Sequence, residues 1–473
     1  MKKQNNITPF SKDIAKWYSD LVLQSDLISY APVKGTMFFK PHGFSLWNNL
    51  SKLLNEEFIK LEVEQVQFPL LFPEELLNKE KKHVEGFSPE VLTVTRVGQK
   101  KLKEPLVIRP TSEVLFGTFF RENLNSYSQL PMKLNQWVNI MRWENNTRPF
   151  LRNSEFFWQE GHTIHSTPEE AKEFSKKIHD LYHEFANKIL LLPTIKGEKT
   201  VIERFAGADN TYTIETILKD GQALQTGTSH FLGDSFGKAF NIKVQGKDNK
   251  KFYPFQTSWG VSTRMLGAII MTHSDDKGLI LPSKIAPIQI VIMTLFAEKN
   301  SKILEIANQF KNKLGDVYKI KIDSTNKGIG FKYQEWEVKG VPIRIEIGPK
   351  DISKSKITFS IRNYEFKKEI NIDEFNEEFV ASLLKEHDNK IYNNAIKIRD
   401  DKKILFQNIS EINKIVESGK YGIAYWSENS EVEKKIKKET GATIRCLIES
   451  DIEGKCIHSN EKTFKMALFA RAY

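Results

Sequence analysis

The chain has 473 residues, of which 40% are hydrophobic and 27% are charged, and its formal net charge of +10 permits a nucleic-acid partner without establishing one. This composition excludes a disordered or fibrous protein, and the absence of any run of about 18 apolar residues excludes a membrane-spanning helix. With two cysteines and no apolar run behind the basic first residues, we expect neither a disulfide framework nor a signal peptide, and hence a reducing, cytoplasmic location.

The first part of the chain has helical patterns. Residues 8–30 are typical of a helix packed on a domain surface. The stretch 35–73 predicts a long amphipathic helix and then a strand that ends at Phe68-Pro69. The apolar residues of this second helix recur at helical spacing: Leu46, Leu50, Leu53, Leu54, Phe58 and Leu61.

A strand within residues 102–113 runs into another helix, with Thr111 and Glu113 at the junction. Thr111 or Ser112 would be an ordinary cap for that helix. A threonine and a glutamate at the end of a strand can also hold a ligand ammonium group. The pattern alone leaves both interpretations open.

An antiparallel strand pair is predicted over residues 136–144 and 153–164, joined by a polar loop. Arg142 near the end of the first strand and Arg152 after the loop are suited to bind a polyphosphate, because each guanidinium offers several donors and keeps its charge. The other interpretation is a hairpin with an ordinary surface salt-bridge network.

The same strand pair carries two further candidates. Phe156 offers an aromatic face of the size of an adenine, and Glu144 offers acceptor oxygens for an amino group or a magnesium-bound water. The resulting pattern is Arg-x-Glu, a loop, then Arg-x3-Phe-x3-Glu, and it ends at Glu160.

Thr167 and Pro168 open a clear helix, with a cap, a proline in the first turn and the glutamate of a capping box. His179 and His183 lie one turn apart on this helix, which is a spacing typical of metal ligands. No third candidate lies nearby in the sequence, so we expect no metal there.

A hairpin follows over residues 211–218 and 222–231. Its second strand carries Gln225 and Thr228, which are suited to serve a phosphate or a metal. His230 on the same strand is either a satisfied core histidine or a pocket residue.

Arg264 lies in the first turn of a helix that follows a strand and Gly260. A cation at a helix N-terminus opposes the helix dipole, so it is an unusual structural choice. Binding of an anion would explain it.

The pattern changes after residue 287. Strands over 288–295, 317–323 and 341–348 alternate with helices over 299–314 and 329–338, which predicts a β/α domain. A smaller unit with a helix at 430–439 follows it.

Several long strings, in the right order along nearly the whole chain, resemble prolyl-tRNA synthetases of the archaeal and eukaryotic architecture. The segment from Glu144 to Glu160 matches motif 2 of class II aminoacyl-tRNA synthetases, and the segment from Gly260 to Arg264 matches motif 3. The most specific strings are RPTSE, FLRNSEFFWQEGHTIH, FAGAD, QTGTSH, WGVSTRMLGA and KGVPIRIEIGPKD.

The resemblance implies an α/β fold with an α+β catalytic core. An antiparallel-sheet class II synthetase domain would occupy residues 1–283, and a β/α anticodon-binding domain residues 284–395. A small α+β C-terminal domain would occupy residues 396–473. The N-terminal helix and strand fit the dimer-forming first motif of the class, so we expect a homodimer.

The resemblance also implies an activity, the ATP-dependent attachment of L-proline to tRNA(Pro) through prolyl-adenylate, with transfer to the terminal adenosine of the tRNA. It implies a role for Arg142 and Arg264 in catalysis. For proline binding it implies Thr111, Glu113, Arg142, Trp158, Glu160, His162, Phe205, His230 and Ser262. For ATP binding it implies Arg142, Glu144, Arg152, Asn153, Phe156, Gln225, Thr228 and Arg264.

Metal and anticodon residues follow from the same resemblance. We assign Mg²⁺ to Gln225, with Glu215 on the partner strand as the weaker candidate. For anticodon binding, Glu346 and Lys350 are candidates, although a structural role at a strand end is open for each. Asn153 stands where the family often has threonine.

Relatives often carry a four-cysteine zinc site in the C-terminal domain. Here Cys446, Cys456 and His458 are the available ligands, and three ligands do not close a structural zinc site. We therefore expect no zinc and interpret the cysteines as small core residues.

The bacterial type of the family carries a large editing domain between motifs 2 and 3. Only 100 residues separate Glu160 from Gly260 here, so we expect no editing domain. Two alternative functions are a non-catalytic tRNA-binding paralogue and a class II synthetase for another amino acid such as threonine. The presence of the ATP residues disfavours the first, and the Thr-x-Glu segment with Trp158 and His162 disfavours the second.

Overall fold

A single eleven-stranded sheet runs through the computed structural model, which describes residues 6–77 and 91–473. The strands of these residues are numbered β1 to β23 in chain order: Ile28–Tyr30, Met37–Phe39, Glu64–Gln65, Leu71–Pro73, Thr93–Val97, Lys100–Ile108, Met132–Met141, Glu155–His165, Ile195–Glu198, Asn210–Ile217, Ala223–Gly233, Val244–Gln245, Lys251–Phe252, Phe255–Ser262, Ile290–Thr294, Ile320–Asp323, Ile343–Ile347, Lys356–Ile361, Lys368–Asn371, Lys403–Leu405, Tyr421–Tyr425, Ala442–Lys455 and Lys462–Arg471.

The α-helices whose bounds both lie in the described residues are numbered α1 to α12. They are Ile14–Gln24, Pro41–Lys60, Glu113–Asn123, Pro168–Lys188, Ser235–Ala239, Arg264–His273, Ser301–Leu314, Ile329–Val338, Pro349–Ser353, Glu377–Asp401, Glu411–Glu417 and Ser430–Thr440. No helix in this part of the chain is both long enough and apolar enough to span a membrane.

The large sheet places the predicted site residues side by side. Its strand order is β20-β21-β23-β22-β9-β10-β11-β14-β8-β7-β3, and the neighbours from β9 to β7 are all antiparallel. In this register Trp158 lies opposite Ser262, and Thr228 lies opposite Gly260. The predicted hairpins of the catalytic core are confirmed, because β7 pairs with β8 and β10 with β11.

Helix α4 packs on β10, β11 and β14 and helps to fix their positions. It begins as predicted, since the Thr167 hydroxyl accepts a hydrogen bond from the Glu170 amide at 3.2 Å. The Tyr182 hydroxyl then donates to Gln159 on β8 at 2.6 Å. The second bond ties the helix to the strand that carries Trp158, Glu160 and His162.

A five-stranded mixed sheet forms the predicted β/α domain, with the order β16-β15-β17-β18-β19. Helix α8 has the predicted bounds, whereas the strands are shorter than predicted because their ends lie in turns. Isoleucines of β15, β17 and β18 fill its core together with α7 and the start of α10.

The C-terminal unit, residues 403–473, extends the large sheet through a contact between Leu447 of β22 and Glu198 of β9. Helix α10 is continuous from Glu377 to Asp401. A domain boundary at residue 395 would therefore fall inside a helix, and the exact division of the chain stays a prediction.

Two N-terminal predictions were wrong in extent. The helix predicted over residues 8–30 is confined to Ile14–Gln24, because Ser25 ends it and β1 follows. The strand predicted to end at Phe68-Pro69 is the short β3, which lies parallel to β7. Apolar spacing had indicated the element types but not where the turns fall.

Candidate active site

A cavity of about 260 Å³ opens on the large sheet where β8, β11 and β14 lie side by side, next to the start of α6. All nine residues predicted for the proline pocket line it, and five of those predicted for ATP do so as well. The predicted residues that line it are Thr111, Glu113, Arg142, Phe156, Trp158, Glu160, His162, Phe205, Gln225, Thr228, His230, Ser262 and Arg264.

A larger cavity of about 370 Å³ lies elsewhere, between the end of α6 and helix α10. Several of its charged groups are already paired: Arg362 contacts Asp275 at 2.6 Å, and Lys277 contacts Glu365 at 3.0 Å. We therefore place the chemistry in the smaller cavity, where arginines face one another.

The Thr111–Glu113 segment enters the smaller cavity between β6 and α3. The Thr111 hydroxyl donates to Glu113 at 2.5 Å, and the Ser112 hydroxyl donates to Glu160. The Ser112 side chain makes no capping bond with α3, so these hydroxyls serve the cavity instead of the helix. A buried carboxylate beside a threonine hydroxyl presents acceptor oxygens to a ligand cation.

Three neighbours hold Glu160 in place. The Gln136 amide donates to it at 2.7 Å, the Ser112 backbone amide donates at 3.2 Å, and His162 Nε2 lies 3.4 Å away. The sequence analysis missed Ser112 and Gln136 as members of this network. The register of the predicted hairpin, which sets Gln136 directly opposite Glu160, was the available signal.

Stacked rings form the wall of the pocket. His162 stacks on Phe116 with ring centroids 4.0 Å apart, and Phe205 lies 4.6 Å from His230. Burial, and to a lesser degree the proximity of His162, lowers the pKa of His230 to about 3, so this ring is neutral near pH 7. A hydrogen bond of 3.0 Å between His230 and Thr211 fixes the ring orientation. His230 is therefore a cavity residue rather than an enclosed core histidine.

Arg142 lies under two aromatic rings inside the cavity. Its guanidinium carbon is 5.2 Å from the Trp158 ring centroid and 6.0 Å from that of Phe156, and its Nε donates to the Pro110 carbonyl at 2.9 Å. Burial lowers its pKa from the usual value, and nearby carboxylates oppose that shift. Those carboxylates belong to Glu113, Glu160 and Glu144.

Arg264 begins helix α6 and points back across the sheet. Its Nε donates to the Leu151 carbonyl at 3.1 Å and its Nη1 to the Gln225 carbonyl at 3.4 Å. Burial, followed by repulsion from Arg152 and Arg142, lowers its pKa to about 10. Three cations that repel one another at the mouth of a buried cavity are an arrangement that a polyanion stabilises.

Three predicted ATP residues lie on the loop outside the cavity lining. Arg152 lies 4.0 Å from Glu144, with its side chain 46% exposed. Asn153 is buried, and its Oδ1 has no hydrogen-bond partner. The charge of Arg152 is nevertheless felt by Arg264, so the loop contributes to the same positive field.

The two residues predicted for magnesium have different surroundings. Gln225 lines the cavity. Glu215 does not, because its two carboxylate oxygens contact Lys199 at 2.7 Å and Arg445 at 3.1 Å, and it is fully buried. The assignment of Mg²⁺ to Glu215 was therefore wrong, since both oxygens are already engaged by cations.

Four buried polar atoms of the lining residues have no hydrogen-bond partner among the described residues. They are the indole nitrogens of Trp158 and Trp259, the Nε of Arg204 and the Ser258 hydroxyl. A buried donor without a partner is costly, so these atoms indicate a ligand that binds there. Sequence reasoning missed Ser258, because a lone serine within a strand carries no signal. Also in the lining, outside the predicted binding residues, are Glu203, Arg204, Thr211, Thr226, Gly227, Trp259, Gly260 and Val261.

The last residue of the chain contacts the loop between β7 and β8. Arg148 donates to the Tyr473 hydroxyl at 2.6 Å and lies over its ring, and the Tyr473 amide donates to the Ala223 carbonyl at 3.2 Å. Arg148 and Arg152 also exchange backbone hydrogen bonds, so Tyr473 supports the segment that carries Arg152.

The resemblance implies that Arg152 binds ATP. On that expectation, deletion of Tyr473 should raise the KM for ATP several-fold, because Arg148 loses its partner and Arg152 is held less firmly. Steady-state ATP–pyrophosphate exchange would measure the change. Replacement of the exposed Arg471 by alanine serves as the control. Unchanged exchange with unchanged folding would contradict a supporting role for Tyr473.

The two candidates for anticodon binding lie at the end of β17 and the start of α9. Glu346 is buried and contacts Lys367 at 2.7 Å, and burial raises its pKa above the usual value. Lys350 is exposed in the first turn of α9. An exposed lysine is suited to contact RNA. The ion pair of Glu346 with Lys367 instead links two parts of the domain, which is a structural role.

The cysteines of the C-terminal unit are buried, as predicted for small core residues. The Cys456 sulfur accepts a hydrogen bond from the Ser427 amide, and His458 donates to the Ser427 carbonyl at 2.7 Å. Cys446 packs in a separate apolar cluster. Within residues 6–77 and 91–473, no three histidine, cysteine or acidic side chains form a group that suits a metal ion.

The fold and the cavity define a class of enzyme. Residues 94–273 match the family model of the class II tRNA synthetase core domain (G, H, P, S and T), and residues 289–382 match that of the anticodon binding domain. Residues 409–473 match the C-terminal domain of prolyl-tRNA synthetase. The antiparallel sheet with its arginine-lined cavity is that of a class II aminoacyl-tRNA synthetase.

Comparison with known proteins narrows the class to one family. The chain is 50% identical to the proline–tRNA ligase of Mycoplasma mycoides subsp. mycoides, with 100% of both chains covered. It is 43% identical to proline–tRNA ligase 2 of Bacillus thuringiensis, covering 99% of this chain and 98% of that one. The crystal structure of Cryptosporidium parvum prolyl-tRNA synthetase with L-proline and AMP has a TM-score of 0.91 and 34% identity, covering 98% of this chain and 99% of that one. The chain belongs to the prolyl-tRNA synthetase family.

Proposed function

We propose that this chain attaches L-proline to tRNA(Pro) in two ATP-dependent steps. The observation that carries the proposal is a single cavity lined both by the Thr111–Glu113 carboxylate site and by the cations of Arg142 and Arg264. Such a cavity accepts a ligand ammonium group and a polyphosphate together. Membership of the prolyl-tRNA synthetase family supports proline as the amino acid and tRNA(Pro) as the RNA.

In the proposed first step, the proline carboxylate attacks the α-phosphorus of ATP and pyrophosphate leaves. Glu113 and Thr111 hold the ammonium group of proline, and the rings of Trp158, His162 and His230 enclose the pyrrolidine. The remaining members of this pocket are Glu160, Phe205 and Ser262. No side-chain nucleophile is needed, since positioning and charge neutralisation supply the rate.

Repulsion between two anions is the main electrostatic barrier to that step. Arg142 lies between the carboxylate and the α-phosphate, while Arg264 and Arg152 neutralise the departing pyrophosphate. Phe156 lies against the adenine. Glu144, Asn153, Gln225 and Thr228 offer polar contacts to the nucleotide.

Mg²⁺ is part of the proposal as a partner of ATP. Gln225 and Glu144 provide oxygen donors, the type that Mg²⁺ prefers, and such ions are usually held by one or two side chains and the substrate phosphates. When bound, the ion would offset charge on the phosphate oxygens. In the second step the 3′-hydroxyl of the terminal adenosine of tRNA(Pro) attacks the adenylate.

ATP–pyrophosphate exchange with each of the twenty amino acids tests the proposal. We expect exchange with proline and weaker exchange with smaller analogues. Exchange with threonine but not proline would favour a synthetase for another amino acid. Absence of exchange, combined with tRNA binding, would favour a non-catalytic paralogue.

We also propose that the chain has no editing activity in cis. The residues between Glu160 and Gly260 are all described, and they form β9 to β13, α4 and α5, which belong to the catalytic unit. The pocket alone would then discriminate against alanine by only about 10–200-fold per methylene-sized difference.

Incubation with preformed alanyl-tRNA(Pro) should therefore give deacylation at the uncatalysed rate. The measurement is release of alanine from the tRNA with and without enzyme. A chain of the bacterial type with an editing domain serves as the positive control. Rapid enzyme-dependent deacylation would contradict the proposal.

The proposal includes a homodimer in the cytoplasm. The N-terminal segment exposes the large aromatic side chains of Tyr30, Phe38 and Phe44, which suit a contact between subunits. The free cysteines Cys446 and Cys456 are compatible with a reducing compartment. The three domains predicted from the sequence remain part of the same proposal.

A further inference from the structure

Residues 199–205 form the first part of the connection from β9 to β10 and lie between the C-terminal unit and the cavity. We name this segment the strap. It contains a single turn of 3-10 helix, Val201–Glu203, and Val201 is 58% exposed. The strap therefore has little regular structure of its own, and its position depends on contacts with its two neighbours.

On one side the strap is bound by the C-terminal unit at three points. Lys199 Nζ donates to the Arg445 carbonyl at 2.6 Å, and the Thr200 hydroxyl donates to Glu433 at 2.8 Å. The third contact is an ion pair of 2.9 Å between Glu203 and Lys437 of α12. The bonds of Lys199 and Thr200 are both buried, whereas Lys437 is half exposed, so the two buried bonds carry more of the restraint than the ion pair.

On the other side the strap forms part of the cavity wall. Arg204 and Phe205 line the cavity, and the Phe205 ring lies 4.6 Å from the His230 ring. The Phe205 amide donates to the Thr211 hydroxyl at 3.0 Å, and that hydroxyl is hydrogen-bonded to His230. A shift of the strap would therefore displace the amino-acid side of the cavity and leave the ATP side in place.

We propose that Glu433 of the C-terminal unit is a positioning residue for the amino-acid pocket, acting through Thr200 and the strap on Phe205. The inference rests on the proposed function, because it assigns that side of the cavity to proline. It gives the C-terminal unit a part in substrate binding although Glu433 itself touches no substrate. The physical basis is that a connection with little regular structure opens at low cost unless buried bonds hold it.

Replacement of Glu433 by leucine should raise the KM for proline roughly ten-fold, because the buried Thr200 hydroxyl loses its acceptor and the strap is released. The KM for ATP and kcat should each change by less than about two-fold. Replacement by glutamine should restore the wild-type KM for proline, because the amide oxygen still accepts from Thr200. Burial raises the pKa of Glu433 to about 7, so a neutral amide is a close substitute for the carboxyl group.

The matched control is Glu431→Leu, on the same helix, where the carboxylate is exposed and paired with Lys434 at 2.8 Å. We expect wild-type values of both KM constants for this variant. The Thr200→Val variant removes the same bond from the other side, so it carries the test if Glu433→Leu does not fold. Thermal unfolding of each variant checks folding.

An unchanged KM for proline in both Glu433→Leu and Thr200→Val, with wild-type exchange intact, would overturn the positioning role and leave the proposed function standing. Equal increases in the two KM constants, or a failure of Glu433→Gln to restore the value, would also overturn it. Absence of proline-dependent exchange in the wild type would instead overturn the proposed function and the inference with it.

Discussion

Replacement of Arg142 by leucine is expected to lower kcat for prolyl-adenylate formation by about 10²- to 10³-fold, the usual cost of removing one preorganised donor from a developing charge. In the proposed complex this guanidinium lies between the proline carboxylate and the α-phosphate. It is half-buried in the cavity and lies against the rings of Phe156 and Trp158, where water screens its charge less than at an open surface. Single-turnover formation of the adenylate from saturating proline and ATP measures the effect.

Two further variants separate charge from geometry. Arg142→Lys keeps a positive charge but loses the planar, bidentate arrangement, so we expect it to recover only a small part of the rate. Arg121→Met is the control, since that arginine is exposed and contacts Glu122 at 3.5 Å. Adenylate formation at the wild-type rate by a folded Arg142→Leu protein would contradict the role proposed for this residue.

The strand and helix patterns of the chain predicted the element types well and their ends less well. The hairpins and helix α4 were predictable because alternation and helical spacing persist over eight or more residues. The early end of α1 at Gln24 was not, because apolar residues continue into β1 and only the turn at Asp26, with φ of 60°, interrupts them.

In the structure, the side chains predicted for the proline pocket all line one cavity. The residues that support them were not predicted. Ser112 and Gln136 hold Glu160; Ser112 was considered only as a helix cap, and the pairing of Gln136 with Glu160 follows from a strand register that the sequence analysis did not use. Glu215 was misassigned for a related reason. Its partner Arg445 lies far away in the chain, so local sequence gives no sign that the carboxylate is already neutralised.

Replacement of Glu215 by glutamine is expected to destabilise the junction between the catalytic and C-terminal units by about 3–5 kcal/mol. The reason is that the buried cations of Lys199 and Arg445 would lose the negative charge that neutralises them. Hydrogen exchange of the backbone amides of β9, β10 and β22 measures this loss and should accelerate by roughly 10²-fold or more. Glu453→Gln is the control, because that carboxylate is an exposed partner of Lys462 on β22 and should change little.

The triple variant Glu215→Leu, Lys199→Met, Arg445→Met gives the sharper test. Replacing a whole buried ion cluster by apolar side chains of similar size removes the desolvation cost together with the charges, so slow exchange at β9 and β22 should return. A magnesium ligand would behave in the opposite way. Glu215→Gln would then leave hydrogen exchange unchanged and alter the Mg²⁺ dependence of adenylate formation, and no compensating change at Lys199 or Arg445 would restore it. That result would contradict the structural role of Glu215 and return it to the catalytic centre.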